Sequence, residues 1–194
     1  MKHARHCPPG AHRGAGPVWD NPAVDDLVSL QPARESDLPL LDRLLGDPEA
    51  AGEFGWYGWQ ASPWRRRWDE NKLLGEDLST LMVVNGDQRV GFVQWHRRPT
   101  SRTSYCWNLG IALLPGVRGR GYGTRAHRLV ARYLFAHTQA HRLEASTEVG
   151  NIAEQRALEK AGFTREGIIR GCGWRDGAWR DGVTYSLLRT DPVP

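Results

Sequence analysis

Apolar residues along the chain fall into two kinds of spacing, one strand-like and one helical. Val28-Ser-Leu-Gln-Pro-Ala-Arg34 alternates and predicts a strand. Ser36 or Asp37 then stands where a helix cap belongs, ahead of Leu38, Leu41, Leu44 and Leu45 at helical spacing. From Glu53 to Trp64 the pattern gives way to glycine and aromatics: Phe54, Trp56, Tyr57, Trp59 and Trp64. A second helix is expected from about Pro63 to Leu74. Thr80–Val84 reads as a buried strand and Asn85-Gly86-Asp87 as a turn. Arg89–Arg98 and Ser104–Leu114 read as two more strands, giving an antiparallel meander.

A glycine-rich turn, Arg118–Gly123, opens an amphipathic helix with Ala126, Leu129, Val130, Tyr133 and Leu134 on one face. Arg142–Thr147 is the next strand. Asn151 opens a further helix, with Ala153, Ala157, Leu158 and Ala161 inward and Gly162 at its C-terminal end. The chain closes with a hairpin: Thr164–Trp174, a turn at Arg175-Asp176-Gly177, and Trp179–Leu188. The order implies an α+β fold built on one central sheet, with no internal repeat. Residues 1–25 are rich in Pro, Gly, His and Arg without apolar period, so they read as a flexible tail, and 26–194 as a single domain.

Composition narrows the function classes. The 194 residues are 40% hydrophobic and 25% charged, the balance of a globular domain. Apolar runs fall far short of the roughly 20 residues that span a bilayer, so no membrane partner is expected. Met1–Pro17 carries basic residues without an apolar stretch behind them and does not read as a secretory signal. Cys7, Cys106 and Cys172 are odd in number and far apart, which fits a reducing cytoplasm. His3, His6, Cys7 and His12 lie in the tail without fixed geometry, and no metal site is expected. The net charge of +4 suits nucleic acid or an anionic ligand equally. No long basic run supports nucleic acid as the main partner.

The chemistry concentrates in Leu113-Leu-Pro-Gly-Val-Arg-Gly-Arg-Gly-Tyr-Gly-Thr124. A strand ends at Pro115, Gly119, Gly121 and Gly123 allow tight turns, and the next helix presents unpaired N–H groups and a positive dipole end. That is an anion cradle suited to a pyrophosphate, to which Arg118 and Arg120 can add charge-assisted hydrogen bonds. The spacing is neither that of a Walker-type loop nor Gly-x-Gly-x-x-Gly, and a meander precedes it where a dinucleotide fold would place βαβ.

Arg118-x-x-Gly121-x-Gly123 at a strand-to-helix junction resembles the GNAT acetyltransferase signature for the coenzyme A pyrophosphate. Asn151 followed by Glu159-Lys160-Ala161-Gly162-Phe163 is similar to a second segment of that superfamily. Glu166–Arg170, Trp174–Asp181 and Tyr185–Arg189 resemble the branch of the ribosomal-protein-alanine (Rim-like) N-acetyltransferases. The resemblance implies a mixed, mostly antiparallel sheet whose fourth and fifth strands splay apart to admit acetyl-CoA. It places backbone groups of Ile111 and Leu113 on the pantetheine and thioester, and amides of Val117, Gly119, Gly121, Gly123 and Thr124 on the phosphates. Asn151 joins this coenzyme site. The acceptor implied is a primary amine, of a protein N-terminus or a small molecule. A homodimer is left open.

An ammonium of lysine type, with pKa near about 10.4, is neutral roughly one time in 2,500 at pH 7, whereas an α-amine near about 7.8 is neutral roughly one time in seven. The first needs a strong base and the second does not. Many relatives carry a tyrosine acid where this chain has Leu158, and the Rim-like branch often a serine where it has Glu154. Glu154 then acts through water, or completes a capping box with Asn151. Glu53 is a candidate to bind the ammonium or serve as base, and Asn108 to orient substrate or water. Trp56, Trp59, His96 and Tyr105 are candidates to line the acceptor pocket. No Cys–His or Ser–His pairing supports a covalent intermediate, so direct attack is expected. Rival readings are a non-catalytic acyl-CoA-binding regulatory module and a basic ribosome- or RNA-associated protein.

Overall fold

The computed structural model describes residues 28–192. The tail expectation for 1–25, and with it the His3, His6, Cys7 and His12 group, lies outside them. Strand β1 (Val28–Pro32) leads through a 3-10 turn into helices α1 (Leu38–Gly46) and α2 (Pro48–Ala51), then α3 (Trp64–Asn71). The meander β2 (Leu78–Asn85), β3 (Gln88–Pro99) and β4 (Tyr105–Leu113) follows. Next come α4 (Tyr122–His137), β5 (Arg142–Glu148), α5 (Ile152–Lys160), β6 (Thr164–Arg175) and β7 (Ala178–Leu188). The strands form one seven-stranded sheet in the order β1-β2-β3-β4-β5-β7-β6, with β4 and β5 parallel and the other neighbours antiparallel.

Strand alternation sorts the core onto two faces. On one, Leu81, Val83, Val93, Trp95, Trp107, Leu109, Leu143, Val183 and Tyr185 pack under α4 and α5. On the other, Met82 and Val84 pack with Leu38, Leu41 and Trp64 of α1 and α3. Among the described residues no helix is long and apolar enough to cross a membrane.

Several local expectations are corrected. Asp37 stands at the N-cap of α1, but its side chain makes no bond to the helix amides. Its carboxylate accepts from the Arg34 amide at 2.8 Å and pairs with Arg89 at 3.0 Å, fixing the 3-10 turn instead. α3 stops at Asn71 rather than Leu74, because Lys72 and Leu73 take positive φ values of 54° and 65°. On α4 the buried stripe includes His127 and Ala131, while Tyr133 is exposed. On α5, Ala153 is exposed rather than inward. The final hairpin turns on Asp176 and Gly177, both at positive φ, as a two-residue loop requires.

Candidate active site

β4 and β5 pair only from Trp107–Leu143 to Leu109–Ala145, although β4 runs on to Leu113 and β5 to Glu148. The strands therefore diverge. The Leu114 amide donates to Val90 of the loop-side end of β3 at 2.9 Å, which makes the even-numbered residues of β4 the ones bonded to β3. Ile111 and Leu113, being odd, turn their backbone groups toward the gap. Gly110 and Ala112 add little side-chain bulk on the α1–α3 face, and a methyl at Gly110 would meet nothing.

At the end of β4, a 3-10 turn over Pro115–Val117 leads into the glycine-rich loop. Gly119 and Gly121 hold φ values of 74° and 91°, accessible to glycine at little cost. Gly121 is the N-cap of α4 and has no side chain to satisfy the helix amides. The first helical bond runs from Arg125 to Gly121, so the amides of Tyr122, Gly123 and Thr124 have no helical acceptor. These amides and the helix dipole are what an anion at this helix start would meet. The expected set is altered at two positions. The Val117 amide donates to Leu114 at 3.1 Å within the turn. The Arg118 guanidinium is turned away from the loop, onto the carbonyls of Leu113 (2.8 Å), Ala51 (3.1 Å) and Ala50. Arg120 is exposed.

α5 begins beside the gap. The Asn151 side chain is committed to the helix start, accepting from the Glu154 amide at 3.3 Å and donating to Thr147 at 2.9 Å. Only half of the capping box forms. The Glu154 carboxylate instead meets His127 Nε2 at 2.7 Å, and the second imidazole nitrogen, Nδ1, is buried without a partner. His127 is 1% exposed and packs edge-on against Phe163. Sequence reasoning missed it, although it lies one residue past Ala126 on the buried stripe.

The aromatic segment approaches the residues that follow β5 and the end of β6. Phe54 approaches Gly150 and carries the Arg175 guanidinium 5.4 Å above its ring, and Tyr57 lies in the field of Glu148 and Arg175. Trp56 and Trp59 meet edge to face at 4.9 Å. Glu53 is exposed and close enough to act on the charge of Arg175. Beneath them Glu148, at the end of β5, receives two bonds from Arg175, at 2.6 and 2.8 Å. Those bonds hold the Glu148 carboxyl below its ordinary value against a desolvation that would raise it. No local sequence signal marks this pair.

The facing-strand candidates divide between faces. His96 and Asn108 are register partners, and Asn108 is in turn opposite Glu144, so the three share the face of α1 and α3. Tyr105 lies on the α4 face, edge-on to Trp107 at 5.6 Å and beneath Arg97. It does not join the aromatic segment. Glu144 is 6% exposed and bound by Arg98 at 2.6 Å and Arg142 at 2.8 Å. Cys106 is fully buried, and its thiol is pushed up to about 11, first by burial and then by Glu144. It is protonated at neutral pH and is no nucleophile. No group of three or more metal-ligating side chains occurs among the described residues.

A strand edge without a partner, next to a cluster of unsatisfied amides, fits an extended thioester ending in a pyrophosphate. The comparisons agree. Residues 28–164 match the family described as Acetyltransferase (GNAT) domain. The probable N-acetyltransferase YjcK of Bacillus subtilis (strain 168) is 39% identical over 168 residues, spanning 87% of this chain and 77% of that protein. In fold, a spermidine N-acetyltransferase from Vibrio cholerae in complex with CoA and spermine superposes with a TM-score of 0.71 at 15% identity, covering 86% of this chain and 98% of that one. RimL, a ribosomal L7/L12 alpha-N-protein acetyltransferase in complex with coenzyme A, gives 0.67 at 18% identity, covering 85% and 96%. The chain belongs to the GNAT family of acyl-CoA-dependent acetyltransferases.

Proposed function

We propose that the protein acetylates the α-amine of a peptide or protein N-terminus, as in the Rim-like branch, by direct attack on acetyl-CoA. The observation that carries this choice over a polyamine is the state of the two β5 carboxylates. Glu144 and Glu148 are both engaged by arginines, and Arg98, Arg142 and Arg175 surround them. A polycation gains little there, and neither carboxylate is free to deprotonate an amine of lysine type. An α-amine is already neutral in a useful fraction, at a cost of only about 1 kcal/mol.

In this reading the Ile111 and Leu113 edge holds the pantetheine, and an amide there polarises the thioester carbonyl. The amides of Gly119, Gly121, Tyr122, Gly123 and Thr124 take the phosphates. The aromatic segment with Trp56 and Trp59 seats the acceptor, and Glu53 receives its ammonium before proton loss. The amine nitrogen attacks the carbonyl carbon, the C–S bond breaks, and the amine's proton leaves to water. Water relays that proton through Glu154, hydrogen-bonded to His127, to the departing thiolate. Asn108 orients water in the polar row with His96. An acceptor screen following free thiol release from acetyl-CoA tests the reading. Peptides with small N-terminal residues should turn over and spermidine should not. The reverse preference would sink it.

A further inference from the structure

Arg118 joins two segments that the sequence keeps 68 positions apart. Its Nε donates to Leu113, the last residue of β4, at 2.8 Å. Its Nη2 donates to Ala51 at 3.1 Å and to Ala50. Ala50 and Ala51 end α2, whose last carbonyls have no helical donor. The next residue, Gly52, has φ of 76° and leaves no room for a Cβ, which would collide with Arg118 Nη1. Glu53 and the aromatic segment start there. Arg118 is exposed, yet its guanidinium is held by these carbonyls, and the partial desolvation there lowers its pKa. On the other side, Gly119 and Gly121 follow Arg118 directly. One planar fork thus fixes the head of the aromatic segment to the base of the glycine-rich loop.

We propose that Arg118 is a positioning residue that couples the two substrate sites. It is not a phosphate ligand. Ordering of residues 119–124 by acetyl-CoA is passed through its three carbonyl contacts to residues 52–60, so that the acceptor pocket forms fully only on the loaded enzyme. This rests on the reading above, in which the loop takes the coenzyme and the aromatic segment the acceptor. By reciprocity a bound acceptor tightens acetyl-CoA by the same factor.

The test combines amide hydrogen exchange with substrate affinities, on the wild type, Arg118→Gln, Arg118→Lys and Gly52→Ala. In the wild type, acetyl-CoA should slow exchange in both 119–124 and 52–60. In Arg118→Gln it should slow only the first, and the acceptor KM should rise about tenfold while the acetyl-CoA Kd stays within about threefold, the scale of ordinary coupling between sites. Arg118→Lys should rescue little, since an ammonium cannot reproduce the fork. Gly52→Ala disturbs the same contact from the opposite side, so its effect on exchange should not add to that of Arg118→Gln. Loss of acetyl-CoA affinity in Arg118→Gln with unchanged exchange at 52–60 would make Arg118 a phosphate ligand and overturn the proposal. Additive effects of the two substitutions would overturn it as well. If the wild type fails to bind acetyl-CoA, the functional reading falls on its own. The strap is then judged by exchange of 52–60 in ligand-free protein, which Arg118→Gln must speed.

Discussion

The ion pair between Glu148 and Arg175 gives the strongest stability prediction. The two side chains are 13% and 5% exposed and meet through two bonds at 2.6 and 2.8 Å. They tie the end of β5, where the cleft opens, to the turn of the last hairpin. Arg175→Met keeps most of the volume and removes the guanidinium. A carboxylate is then left desolvated without its partner, a loss of about 3–5 kcal/mol for a fully buried pair. Residual exposure of Glu148 and the loss of the Arg175–Asp176 contact, on a 58%-exposed aspartate, place the expectation near the lower end. At roughly 2–4 °C per kcal/mol for a chain of this size, Tm should fall by about 6–12 °C. Glu148→Met with Arg175→Met removes both charges and should recover most of the loss.

The pair also predicts a pH dependence. Arg175 holds the folded-state pKa of Glu148 below its unfolded value. The stability it contributes is therefore complete above the ordinary carboxylate range and is lost as pH falls through the lowered, folded value. Urea denaturation of wild type, both single variants and the double variant, at neutral and acid pH, measures each quantity. A loss under about 1 kcal/mol for Arg175→Met at neutral pH, or a double variant no more stable than the single, would refute the reasoning.

Other expectations follow from the same geometry. Gly121→Val forces a β-branched residue to φ of 91° at the N-cap of α4, and the KM for acetyl-CoA should rise at least about tenfold; an unchanged KM in steady-state kinetics would mean the loop does not seat the coenzyme. Glu154→Ala leaves the buried His127 imidazole without its acceptor and should cost about 1–3 kcal/mol by denaturation, whereas Glu154→Gln keeps a hydrogen-bonding group and should cost less; kcat of the Gln variant, measured beside its stability, reports whether the carboxylate handles a proton. Glu166, held at about 2 first by its bonds from Arg142, should lose its stabilising contribution only as pH falls from the ordinary carboxylate range toward that value, and Glu166→Gln should flatten that limb of the acid titration. Trp56→Ala should raise the acceptor KM and spare the acetyl-CoA Kd; damage to the coenzyme side alone would place the aromatic segment wrongly.

The elements were legible because their signals are local. Alternation at 28–34, the buried apolar run at 80–84 and the helical spacing after Gly123 each lie within a window of a few turns. The turn at Asp176–Gly177 and the glycine at 162 mark their own conformations. Boundaries failed where a positive φ was held by residues with no preference for it, as at Lys72 and Leu73. The glycine-rich loop was also legible, because glycine spacing at a helix start is itself the physical requirement for an anion site.

Side-chain pairing was not legible, because it depends on which elements the sheet brings together. Glu154 had a plausible local partner in the Asn151 amide, three residues away, and the capping box was the natural reading. The fold supplies a better one. α4 crosses α5 so that a buried imidazole, with few acceptors in reach, stands 2.7 Å from the same carboxylate. An unpartnered imidazole N–H in the core costs more than an unmade cap bond on an amide that already donates to the Glu148 carbonyl at 2.9 Å. Arg118 follows the same logic. In the sequence it borders a phosphate loop and reads as a ligand to the anion. In the fold it donates to the last carbonyl of β4 at 2.8 Å and to the last carbonyls of α2. Its guanidinium is engaged by those fixed acceptors, and the loop's own amides remain for an anion. The groups proposed to bind the coenzyme are thus mostly backbone, readable from glycine. Those proposed to couple the two substrate sites are side chains, readable only from the contacts.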